Sequence, residues 1–196
     1  MKRMILAAVL ALTAAPAMAA PVAYTIDPTH TQTTFQVDRF GFTTVLGAFT
    51  AASGTIWIDE AAPAASRVDA QVTVASLFAG DPTRDEHLKG ERWLNAAANA
   101  LITFKSTKVA PTGPDTADVT GDFTLNGVTK PVTFEVKLNK IGKAPGSGKQ
   151  AAGFTITGSV KRRDFGIGAA LPPGLIGEDV PIRIEVLAVA PTPAAP

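Results

Sequence analysis

The chain has no cysteine, so no disulfide can brace it, and thiolate chemistry and cysteine-ligated metal sites are excluded. Histidine is almost as scarce, with only His30 and His87. Neither sits in a His-Glu-x-x-His pattern, and no Gly-x-Ser-x-Gly elbow occurs. Gly146-Ser147-Gly148-Lys149 imitates a phosphate loop but carries Lys143 where glycine is required and Gln150 where Ser or Thr is required. Charge of one sign is lacking too. The 18 Lys and Arg face 17 Asp and Glu, and losing Lys2 and Arg3 with a leader would leave 16 against 17. A nucleic-acid partner ordinarily needs a basic stripe, so none is expected.

Long apolar runs are also missing, apart from one at the start. Lys2 and Arg3 precede the apolar stretch Met4–Ala15, and Ala17-Met18-Ala19 is a small-x-small cleavage site. The run is short of the ~20 residues that span a bilayer. Residues 1–19 therefore read as a cleaved signal peptide, and a Gram-negative periplasm is the expected destination. What remains, about 175 residues, suits one domain at 20–190, with 191–196 a disordered Pro/Ala tail.

What is present is alternation. In Thr120–Leu138 two strands, Thr120–Leu125 and Val128–Leu138, flank Asn126-Gly127, a pair suited to a two-residue type I′ turn in which both residues need φ > 0. That turn sets Leu125 against Val128, Val119 against Phe134 and Gly121 against Val132. Phe123, Val136 and Leu138 then share one face, and Thr124, Thr133, Glu135 and Lys137 the other. Similar segments are expected at 24–26, 31–40, 45–59, 68–78, 101–109, 117–125, 153–164 and 180–189, with a bend at Gly47 or Gly54 in the 45–59 stretch. The predicted fold is all-β, an antiparallel up-and-down barrel of about eight strands, because closure removes exposed edges. One segment departs from it. Asp81 supplies an N-cap, Pro82 a first helical position and Gly90 a stop, so a helix is expected over 84–89, with a second short one over 91–98. Both are placed at one end of the barrel.

Inward parity assigns Phe35, Ile56, Ile58, Val72, Val74, Ile102, Phe104, Phe123, Phe134, Phe154, Ile156, Ile182 and Ile184 to the interior. His30, Arg84, His87 and Arg162 are placed near a mouth. For each histidine, packing or turn tethering competes with a ligand contact. For Arg162, an ion pair with an acid such as Asp85 or Asp164 competes with a headgroup contact, because a buried charge must be paired. Gly54, Gly121 and Gly158 fall among inward positions and read either as bends or as free volume. No metal or cofactor is expected, and no acid–base or nucleophilic centre is evident.

Ordered motifs carry a resemblance. Tyr24-Thr25-Ile26-Asp27-Pro28-Thr29-His30-Thr31 is followed by Phe35-x-Val37, Gly47-x-Phe49 and Gly54-x-Ile56. Arg84-Asp85-x-His87-Leu88-Lys89, Ile102-Thr103-Phe104-Lys105-Ser106-Thr107, Gly121–Val132 and Arg162-x-Asp164-Phe165-Gly166 come next. Together they resemble the YceI-like family of exported bacterial proteins. The chain departs from the family pattern at Trp93-Leu94-Asn95, Thr31 and Asn99-Ala100, around the helical segment. The resemblance implies a lipocalin-like barrel and a non-catalytic protein that binds polyisoprenoid or isoprenoid-quinone-type lipid in an apolar cavity. No transmembrane span is expected, and transient contact with a membrane is compatible with the sequence. A filled barrel serving a structural or stress role is the alternative. The state of association, monomer or dimer, stays open.

Overall fold

The computed structural model describes residues 20–191. The expected leader and most of the expected tail lie outside that range. Eleven strands run in chain order as β1 (Val22–Ile26), β2 (Gln32–Arg39), β3 (Thr43–Phe49), β4 (Ala52–Ile58), β5 (Arg67–Thr73) and β6 (Leu77–Phe78), then β7 (Leu101–Pro111), β8 (Thr116–Leu125), β9 (Val128–Lys143), β10 (Gln150–Lys161) and β11 (Asp179–Val189). Three pairs of short strands are single staves broken midway. β2 pairs with β3 while β1 pairs with β4; β5 continues the β4 edge and β6 the β3 edge. The result is an eight-stave antiparallel barrel with sequential neighbours, sealed where β11 pairs with both β1 and β2.

The breaks correct two expected strands. The 45–59 stretch turns at Thr50-Ala51, between the two glycines proposed as its bend. In the 68–78 stretch a 3-10 turn over Val74–Ser76 interrupts the ladder, and Ser76 Oγ fills the gap by donating to Thr73 O at 2.6 Å and accepting from Ala51 N at 3.1 Å. The 153–164 strand ends early, at Lys161, and Arg162–Phe165 is another 3-10 turn.

The Asn126-Gly127 hairpin forms as its sequence dictates. Their φ values are 51° and 74°, and Leu125 faces Val128 while Val119 faces Phe134. On its wet face, Thr120 and Thr124 share hydroxyl bonds with Thr133 and Thr129, both at 2.8 Å.

The inward glycines are neither simple bends nor empty space. A Cβ on Gly121 would lie 2.6 Å from Cζ of Phe104, and one on Gly158 2.5 Å from Cδ1 of Phe134. Each is the seat of an aromatic ring from the adjacent strand. Gly47 seats Phe35 in the same way. Gly54 differs, with φ 146° against the backbone of Ala70, a conformation L side chains rarely adopt.

The upper end carries the helix. α1 (Pro82–Lys89) is only two turns long and stands because it is capped: Arg84 N donates to Asp81 Oδ1 at 2.8 Å, Pro82 opens it, and Gly90 N closes on His87 O. Buried Asp85 accepts from Ala79 N at 2.6 Å, tying α1 to the chain that enters it. The expected second helix does not form, and residues 91–98 are consecutive turns that lay Trp93 and Leu94 against the upper core. That upper core is aromatic, with the rings of Phe123 and Phe165 perpendicular at 5.5 Å. A second core of Tyr24, Ile26, Ala152, Val186, Ala188 and Ala190 closes the lower wall.

Candidate functional site: an apolar channel

Between the two cores runs a cavity of about 1060 Å³. That is at the top of the range of about 300–1,000 Å³ usual for ligand pockets. Strand alternation builds its wall, because every second residue of each stave points inward. Of the side chains that parity assigned to the interior, all but Val74 border it. Val74 is 1 % exposed but lies in the 3-10 turn, packed into the upper core, where its N–H donates to Ala100 O. Strand parity fails where the strand stops.

Bordering residues that are also exposed occur at both ends of the barrel. Phe40, Asp81, Thr83, His87 and Leu175 do so at the α1 end, and Glu60, Pro63, Gly113 and Pro114 at the opposite end. The cavity is therefore a channel with two mouths. Among the described residues no three His, Asp or Glu side chains gather as a metal site.

The four predicted mouth residues separate. Arg84 and His87 border the channel on α1. The Trp93 indole donates to His87 Nε2 at 2.8 Å, fixing that nitrogen as an acceptor and holding the ring at the rim. Arg84 Nε is buried with no hydrogen-bond partner. Its guanidinium borders the channel at this mouth with hydrogen-bonding capacity to spare, as does that of the exposed Arg39.

Arg162 borders the channel but has little to offer a ligand. It is 3 % exposed, and its guanidinium donates to the carbonyls of Gly177, Ile167, Gly168 and Ile176 at 2.8–3.2 Å. Its acid neighbour is Glu178 at 4.0 Å, not Asp85 or Asp164 as expected. Burial pulls its pKa down, opposed by the Glu178 charge. Arg162 is the peg around which the 166–177 loop is wound over the upper rim.

His30 is displaced from the mouth altogether. It lies in the turn between β1 and β2, on the outer wall, with its Nδ1 2.8 Å from Asp27 Oδ2 and its side chain 68 % exposed. Hydrogen bonds from Thr29 and His30 lower the Asp27 pKa from 3.8 to about 2.

Two exposed apolar side chains on the β2–β3 hairpin were missed by sequence reasoning: Phe42 at its tip, beside the channel-lining Phe40, is 90 % exposed, and Leu46, on the outer face of β3, is 66 % exposed. Phe40 is held at φ 60° by a bond from its N–H to Leu175 O at 2.9 Å, with Arg39 stacked 4.6 Å above its ring. The signal was present in Arg39-Phe40-Gly41-Phe42, a hairpin tip built of aromatics where turn residues usually stand.

The fold has counterparts. The structure superposes on crystal structures of BcnA from Burkholderia cenocepacia (TM-score 0.75, 23 % identity, covering 83 % of this chain and 98 % of that one) and of the Campylobacter jejuni YCEI protein (TM-score 0.71, 27 %, covering 77 % and 88 %). It also superposes on a polyisoprenoid binding domain from Saccharophagus degradans (TM-score 0.65, 16 %, covering 87 % and 99 %). Protein YceI of Escherichia coli O157:H7 is 40 % identical over 156 residues, which are 80 % of this chain and 81 % of that protein. The UPF0312 protein of Pseudomonas savastanoi pv. phaseolicola is 38 % identical over the same length. The YceI-like domain model matches residues 24–188. An ordered set of motifs, an eight-stave barrel and this match converge, and the chain belongs to the YceI-like family.

Proposed function

We propose that the protein is a non-catalytic carrier for a polyisoprenoid or prenylated quinone-type lipid, exported to the periplasm by its leader. The observation that carries the reading is the volume and apolar wall of the channel. A buried methylene is worth roughly 0.8 kcal/mol, so a prenyl tail of several units gains strongly on leaving water for such a wall. The S. degradans neighbour, described as a polyisoprenoid binding domain, supports the ligand class. Arg84 and His87 meet the polar end of the lipid as it enters. Phe42 and Leu46 touch the bilayer from which it is drawn, since an exposed apolar patch of this kind marks an interaction surface.

Lipid mass spectrometry on protein purified without detergent tests the proposal, with native mass spectrometry for stoichiometry. The expected result is a prenyl lipid near one per chain, lost from Ile156→Arg, whose side chain would set a charge in the channel wall. A folded Ile156→Arg protein that still carries lipid would refute this lining. Protein that is clean, and refuses added prenyl lipid, would leave a filled-barrel structural role instead.

A further inference from the structure

Above Phe35 the ladder bonds of the barrel wall stop on both sides of the β2–β3 hairpin. β2 pairs with β11 over 32–35, and residues 179–181 of β11 pair with β10 alone. β3 has β6 beside it at Ala48 and Phe49 and no further up. Residues 36–46 therefore form a two-stranded ribbon, bonded within itself from the Gln36/Leu46 pair to the Arg39/Thr43 pair, with an open edge on each side. A two-stranded hairpin by itself is marginally stable in water. Every residue from 36 to 46 is exposed or half-buried, so little burial supplements the ribbon's own bonds.

A latch returns its tip to the barrel. Phe40 N donates to Leu175 O and Gly177 N to Asp38 O, both at 2.9 Å, on either side of the bridge between Arg39 and Ile176. The strap side of this latch is fixed, because the Arg162 guanidinium donates to the carbonyls of Ile176 and Gly177. The base of the ribbon is fixed as well, with the Phe35 ring seated on Gly47 and 5.5 Å from the ring of Phe49. So is the far side of the mouth, where α1 is capped at both ends and tied through Asp85 to Ala79 N. What can swing is the ribbon between its base and its tip.

Its swing bears on the channel. Val37, Arg39, Phe40 and Val45 of the ribbon border the channel, as do Leu175 and Ile176 on the strap. Breaking the two latch bonds parts these two sets and opens a slit in the wall from the α1 mouth down to the level of Phe35. A long chain can then enter sideways along its length instead of being threaded end-on. Phe42, 90 % exposed, stands at the moving tip, so the slit opens beside the residue that meets the bilayer.

We infer that the β2–β3 ribbon is a flap that admits and releases the lipid, opening at the Phe40–Leu175 and Gly177–Asp38 bonds while α1 and the strap stay in place. The inference rests on the lipid-carrier reading and concerns how a lipid passes the wall, not which lipid it is. Gating elements are drawn from the least stable parts of a fold, and their opening sets rates of entry and release.

The chain has no cysteine, so an Arg39→Cys/Ile176→Cys protein contains one possible disulfide. The two positions form a non-hydrogen-bonded antiparallel pair, whose Cα atoms stand about 4.5 Å apart, within the roughly 4.4–6.8 Å that a disulfide spans. The reduced form of the same protein is its reference. Uptake of a prenylated benzoquinone from phosphatidylcholine vesicles is followed by stopped-flow quenching of Trp93, which borders the channel. Uptake should slow by about tenfold or more in the oxidised form and recover on reduction, with equilibrium affinity the same in both. Equal rates in the two forms would overturn the flap and leave the carrier reading standing, because the lipid would then use an opening the crosslink does not touch. Failure of the reduced variant and the parent alike to take up the quinone would overturn both. Native-state amide exchange on the parent chain needs no variant. The Phe40 and Gly177 amides should exchange together, about a hundredfold faster than those of the β10–β11 ladder. Equal protection would mean that the latch opens only with the whole barrel, and would refute the flap.

Discussion

The ring of Phe134 occupies the space a side chain on Gly158 would need, so the two residues form one unit across β9 and β10. The Phe104 ring meets Phe134 edge-on at 5.4 Å, and Phe104 is itself seated on Gly121. Gly158→Ala should therefore cost about 1–3 kcal/mol, as overpacked cores do. Urea unfolding measures it. A neutral result would mean that Phe134 has room to move aside, and the channel would then be more pliable than its wall suggests.

Arg162 makes a sharper case. Arg162→Lys keeps the charge but replaces a planar five-donor fork with a three-donor ammonium that cannot serve four carbonyls in a fixed arrangement. We expect a loss on the order of 3 kcal/mol, from buried acceptors left unpaired. Faster proteolysis within 166–177 should accompany it. Lipid affinity in the folded fraction should hold, since the guanidinium faces its own loop. A selective loss of lipid with unchanged stability would return Arg162 to the binding site.

At the rim, Phe42→Ser removes the most exposed large apolar side chain among the described residues without touching the channel wall. Equilibrium binding of a dispersed prenyl lipid should be unchanged. Transfer from vesicles, followed by stopped-flow fluorescence, should slow severalfold. Equal transfer rates would separate the aromatic tip from any membrane role.

Asp27 gives the fold an acid-side pH dependence. Its carboxyl titrates near pH 2 in the folded chain and near 3.8 in the unfolded one, so the stabilisation is complete above about pH 4 and is lost as pH falls toward 2. Asp27→Asn should flatten that part of the Tm-against-pH curve. An unaltered slope would place the acid sensitivity elsewhere.

Much of this was legible beforehand because strand alternation and turn chemistry are local. Asn126-Gly127 specified its own turn and register, Asp81-Pro82 and Gly90 framed α1, and parity found the wall. The failures share a cause. Val74 sits where a 3-10 turn breaks the period, so counting by twos placed it in a wall that has ended. The partners of Arg162 are main-chain carbonyls of an irregular loop, which no side-chain pattern announces. His30 looked like a rim residue because its turn was taken as the end of a strand, whereas it is a break partway along a continuing stave. The glycine seats depend on which ring leans across from the neighbouring strand, a matter of rotamer and twist rather than of spacing.

The seam that joins β11 to β1 and β2 has a consequence for the order of events during synthesis. Thr31 and Leu187, which meet there, are 156 positions apart, and β11 leaves the ribosome after the other ten strands. Until it arrives, the nascent chain is an open sheet with two unpaired edges and a greasy concave face, the form most exposed to aggregation. Barrel closure thus waits on β11, and a chain cut short before Asp179 would lack its closing stave however well its other strands had paired.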